Sequence, residues 1–203
     1  MANTITRLLP HRVVNPYDIV NFYSLDSATG AAGSLVKISS GDLDNAPVEF
    51  VTRSDAYAFQ NTLGNAYSPH NTVPHKVTLV TGVENTKPLG FLLNDVRQTD
   101  ENGENLQYYK QKREELQCVL SGEAVPIATR GILTFNSKAI AGTGLPTINQ
   151  VLIPAANGQI TGVTDTGQTF TQRLGVVLAS GTRASQQDTD AFAGNYIIAK
   201  IDL

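Results

Sequence analysis

The chain has 203 residues, enough for one large domain or two small ones with a sizeable core. Charged residues make up 16% and the net charge is −3, with no basic patch, which excludes nucleic acid as an electrostatically driven partner. A single cysteine, Cys118, excludes an intrachain disulfide, and no apolar run approaches the ~20 residues of a membrane helix.

The first twelve residues hold no apolar stretch of signal-peptide length, so neither secretion nor a membrane location is expected. Residues 1–33 read as an N-terminal arm: Pro10 and Pro16 interrupt it, and Tyr17, Phe22, Tyr23 and Leu25 give it apolar side chains suited to a partner surface. An edge strand followed by a loop fits the same residues. Residues 34–203 read as a β-rich domain, open to division into two packed β units near 120–130. Glycine (17) and proline (9) are spread along the chain and leave few windows for an amphipathic helix.

Short apolar runs rich in β-branched residues, bounded by turn residues, predict strands. In chain order they are Leu35–Ile38, Val48–Thr52, Lys76–Val83, Gly90–Val96, Leu116–Leu120, Gly131–Phe135, Val151–Ile153, Leu174–Ala179 and Tyr196–Asp202. The last is apolar on both faces for most of its length and is expected in the middle of a sheet. Glu104–Gln117 holds good helix formers and fits one short helix or a strand pair. Pro88-Leu89-Gly90-Phe91-Leu92-Leu93 echoes Arg173-Leu174-Gly175-Val176-Val177-Leu178, a match compatible with two similar β units and with chance.

The residues that carry chemistry elsewhere sit here in unsuitable settings. Asp165-Thr166-Gly167 has the triplet of aspartic proteases, but small polar flanks mark a hairpin turn. His70 and His75 are five residues apart beside Pro69 and Pro74, so no helix aligns them as metal ligands, and His11 stands alone. Cys118, next to Val119 and Leu120, reads as a buried apolar thiol. Gly142-Thr143-Gly144 precedes Pro146 rather than the helix a phosphate loop needs. Asp42-Leu43-Asp44-Asn45 lacks the glycine and distal glutamate of a calcium loop. Tyr57, Tyr67, Tyr108 and Tyr109 could stack on a sugar, but tyrosine is equally at home on strands. No catalytic residue, cofactor or metal site is therefore expected, and the chain reads as a non-enzyme.

Three phrases occur in a suggestive order. Leu35-Val36-Lys37-Ile38 is followed by Gly41-Asp42-Leu43. Val119-Leu120-Ser121-Gly122 precedes Glu123-Ala124-Val125-Pro126. Leu174-Gly175-Val176-Val177-Leu178 precedes a polar loop and the closing strand Tyr196–Ile201. From Leu35 to Leu203 this order resembles the capsid decoration (cement) proteins of tailed bacteriophages; Phe59–Gln117 departs from the pattern by its length. The resemblance implies a compact β-barrel or β-sandwich assembled in the host cytoplasm, a homotrimer on the virion surface, and the major capsid protein as partner. Thr4 to Leu25 of the arm would then be the capsid-facing or subunit-crossing element. A tail, connector or fibre component and a carbohydrate-binding adhesion module are the alternatives.

Overall fold

The computed structural model describes residues 7–27, 29–40, 73, 75–82, 87–142, 144–165, 172–184 and 193–203. The strand expected at Val48–Thr52, the Asp42–Asn45 loop, His70, Tyr57 and Tyr67 lie outside them.

Two open six-stranded sheets stack as a sandwich, not a barrel. Of the first three strands, β1 (Leu8–Val13) joins the C-terminal sheet, and β2 (Ile19–Val20) and β3 (Ser24–Leu25) join the N-terminal sheet. The N-terminal sheet is ordered β2, β9 (Ile127–Ala128), β6 (Gly90–Leu92), β4 (Leu35–Ser40), β5 (Lys76–Leu79), β3. The C-terminal sheet is ordered β1, β10 (Arg130–Asn136), β14 (Gly194–Asp202), β13 (Gly175–Arg183), β11 (Val151–Pro154), β12 (Ile160–Val163). A separate parallel pair, β7 (Asp95–Val96) and β8 (Cys118–Val119), belongs to an insert between β6 and β9. The insert also carries the one α-helix among the described residues, α1 (Lys110–Glu115).

Without β1 and β3, the two sheets have one topology. The strands of the N-terminal unit, in chain order, are β2, β4, β5, β6 and β9; those of the C-terminal unit are β10 to β14. Both units lay them side by side as first, fifth, fourth, second, third, with every neighbour antiparallel. The registers coincide as well. Gly90 stands opposite Val36 as Gly175 stands opposite Leu152. Phe91 stands opposite Ala128 as Val176 stands opposite Lys200. The Leu89 N–H donates to the Val36 carbonyl at 2.8 Å, and Leu174 donates to Leu152 at 2.9 Å. The sequence echo therefore falls on equivalent strands, β6 and β13, glycine on glycine. Each glycine is needed for close approach: a Cβ on Gly90 would run into the Ala128 carbonyl oxygen, and one on Gly175 into that of Lys200.

Equivalent faces point the same way. Val36, Val77, Leu92 and Ile127 line one apolar cluster, covered by Leu25, Val96 and Val125. Their equivalents Leu152, Ile160, Val177 and Ala199 line the core between the sheets. The units are thus stacked head to tail. The underside of the N-terminal sheet, with Leu35 and Phe91, packs on the C-terminal sheet; Phe91 meets Phe135 with ring centroids 5.0 Å apart. The equivalent underside of the C-terminal sheet, with Ile132, Val176, Ile198 and Lys200, is an outer face of the molecule.

Several sequence expectations shift. The stretch expected as an arm is threaded, over its described part, through both sheets: Leu8 pairs with Phe135, Ile19 with Ala128, and Ser24 lies parallel to Lys76. Burial of Leu8, Leu9 and Leu25 drives this, and Pro10 is tolerated because β1 is an edge strand. Gly90–Val96 breaks at the bend Leu93-Asn94, so Val96 pairs with Val119 instead of continuing β6. In 104–117 only α1 is helical; Gln117 at φ 49° ends it, and the following strand begins at Cys118.

Candidate interaction surface

Tyr17 sits in a 3-10 turn, Pro16–Asp18, that leads into β2. Proline opens the turn, and the Asn15 side chain accepts the Tyr17 amide at 3.1 Å. This turn holds the tyrosine ring 95% exposed. From β2 the chain crosses to the opposite edge of the N-terminal sheet, where Phe22 and Tyr23 precede β3. Phe22 is 53% exposed and stacks on the His75 imidazole, with ring centroids 4.4 Å apart and 22° between planes. Tyr23 meets Phe22 edge-on at 5.3 Å and packs against the core beneath. Its carbonyl accepts the Val125 amide at 2.9 Å, which ties the crossing to the insert. Leu25 is 3% exposed within that core. Of the four residues assigned to partner contact, Tyr17 and Phe22 offer surface, Tyr23 offers part of a ring, and Leu25 offers none. They do not converge on one patch.

The insert holds most of the perturbed ionisable groups. Burial pushes the Asp95 carboxyl up, against the Ala32 amide that it accepts at 2.7 Å and the Arg97 charge, both of which pull it down. Burial likewise pushes the Cys118 thiol up, favouring the protonated form over a nucleophilic thiolate. Arg113 pairs with Glu123 at 3.0 Å, and Glu123 accepts the Leu120 amide at 3.0 Å. Lys112 pairs with Asp100 and lies 3.5 Å from Glu104. These contacts fasten the insert upon itself. Arg12 fastens it to β1 by donating to the Leu93 carbonyl at 3.0 Å.

The remaining sequence candidates fall apart in space. Asp165 is half-exposed, 3.6 Å from Arg173 in a surface ion pair; Thr166 and Gly167 lie outside the described residues. Gly142 and Gly144 border open space, and the next described element is the strand β11 rather than a helix. His75 is buried with Nδ1 unpartnered, and no group of three metal-ligating side chains occurs among the described residues. No described helix is long and apolar enough to cross a membrane.

A feature the sequence did not point to lies on the outer face of the C-terminal sheet. Strands β1, β10, β13 and β14 form a shallow dish of about 530 Å³, floored by Leu9 and Ile198 and edged by His11 and Arg183. Thr134 lines it, 5% exposed, with a buried Oγ1 that has no hydrogen-bond partner. The alternation of Leu133, Thr134 and Phe135 tells which way Thr134 points. Nothing in the sequence tells that four distant strands meet around it.

No protein-family model, no curated protein and no solved structure matches this chain.

Proposed function

We propose that this chain is a non-enzymatic structural protein of the virion, a decoration protein that binds the major capsid protein on the outer shell of a tailed bacteriophage and reinforces it. The observation that carries the reading is the pairing of a stacked β-sandwich with protruding aromatics, above all Tyr17, held out by a capped turn rather than by a floppy tail. A side chain fixed in the open is suited to insertion into a partner, because little conformational freedom is lost on binding. The low charge fraction of 16% fits a contact surface that is only weakly screened by salt. The order of apolar phrases from Leu35 to Leu203 adds the resemblance to the decoration family, with its trimers and its preference for expanded shells.

In this reading each copy buries on the order of 1,000–2,000 Å², and shell symmetry multiplies modest contacts into a strong lattice. Co-sedimentation with purified shells tests it. Saturable binding to expanded shells, lowered at least about tenfold by Tyr17→Ala, is the expected result. Absence of binding to expanded shells would retire the reading.

A tail, connector or fibre component is the second reading. One observation favours it: two equivalent sheets already stack head to tail within one chain, the arrangement that builds tubes and fibres when repeated between chains.

A further inference from the structure

We propose that the dish on the outer face of the C-terminal sheet receives an exposed tyrosine, Tyr108 or Tyr109, from the insert of a second copy of this chain. This inference does not rest on the capsid reading.

Three observations converge on it. First, the face is the counterpart of one already used for packing. Its positions Ile132, Val176 and Lys200 are equivalent to Ile19, Phe91 and Ala128, through which the N-terminal sheet packs on its neighbour.

Second, the dish suits an aromatic ring with a polar tip. Leu9, Pro10 and Ile198 give it an apolar seat, and Thr182 and Tyr196 bring polar groups to it. A tyrosine offers both halves of that fit, a flat apolar ring and a phenol O–H.

Third, the charges are complementary. Residues 93–125 carry seven carboxylates against four cations, and Glu101, Glu114 and Glu115 are exposed. The outer face presents Lys200, where the packed unit has Ala128, and Arg183 lies at the dish. Tyr108 and Tyr109, 78% and 50% exposed, lie in this insert between Glu104 and Glu114, with Lys110 beside them in the chain. A lysine in the middle of this face disfavours packing against an identical face and favours an acidic one. Because insert and dish are different surfaces of the same chain, the contact is heterologous and builds a ring or an open chain according to the rotation between copies.

Light scattering on the intact chain at about 100 μM, above the micromolar Kd of a small contact, tests this. The expected mass is a multiple of 21.7 kDa. Ile198→Asp and the double variant Tyr108→Ala/Tyr109→Ala should each fall to the single-chain mass. Mixed together they should associate again, since one retains its tyrosines and the other its dish. Lys200→Glu, a change at an exposed position, should weaken association at least about tenfold while leaving the unfolding midpoint in place. A single-chain mass for the unaltered protein, association that survives either variant, or a mixture that stays monomeric would each overturn the proposal. Loss of association leaves shell binding to its own test, so the two readings fail separately.

Discussion

The two β units share strand order, strand direction and register, yet they meet different surroundings. The N-terminal sheet is covered on both faces, by the insert above and by the C-terminal sheet below; among the described residues the C-terminal sheet is covered on one face and, on the other, only locally, at the buried Val151. Where both are covered the residues agree in character: Val36 with Leu152, Leu92 with Val177, Ile127 with Ala199. On the opposite face Ile19 matches Ile132 and Leu35 matches Val151, but Phe91 is replaced by Val176 and Ala128 by Lys200. Backbone pairing is thus satisfied by the same glycine and the same register in each unit, while side-chain size and charge follow the cover.

Substitutions at equivalent positions sharpen this contrast. The largest difference is expected between Phe91→Ala and Val176→Ala: about 4 kcal/mol for the first, a buried ring that leaves a cavity against Phe135, and under about 1 kcal/mol for the half-buried valine. Urea unfolding of both variants checks it, and equal losses would break the comparison. Next come Gly90→Ala and Gly175→Ala, each expected to destabilise by about 2–3 kcal/mol, because the added methyl meets a carbonyl of the adjacent strand in both units. A loss at one glycine alone would show that the shared register does not carry a shared constraint.

A smaller effect concerns the insert. The hydrogen bond from Lys112 holds the Asp100 carboxyl below its ordinary value, helped by the amides of Glu104 and Asn102 and opposed by burial. A carboxyl lowered in the folded state adds stability above its unfolded value of 3.8, and that stability is lost as the pH falls through the lowered folded value. Asp100→Asn should therefore flatten the acid limb of the stability profile below pH 4, as read by unfolding midpoints across a pH series. The smallest effect is at the dish: Thr134→Val replaces an unpartnered hydroxyl with a methyl of similar shape and should leave the unfolding midpoint unchanged or slightly raised.

The fold class was legible because β4, β10, β13 and β14, strands of six or more residues, each hold a short apolar stretch rich in β-branched residues, and β14 does lie between β10 and β13. The burial of Cys118 was legible from Val119 and Leu120. Strands β2, β3 and β9 were not legible, since two residues carry no periodicity and their pairing is long-range. The same limit hid the threading of residues 7–33: Leu8, Leu9 and Leu25 look alike in sequence whether they cover a partner or this chain's own core. Tyr17 and Phe22 were legible as apolar surface from their proline-broken setting. The dish was not, because its members come from β1, β10, β13 and β14 and share no sequence spacing.

Reinforcement of a shell is measured most directly by the temperature at which expanded, DNA-filled phage shells release their DNA, followed with a DNA-binding dye, with and without saturating protein. The predicted result is a higher release temperature with the intact protein and a smaller rise with Tyr17→Ala. An unchanged release temperature at full occupancy would contradict it.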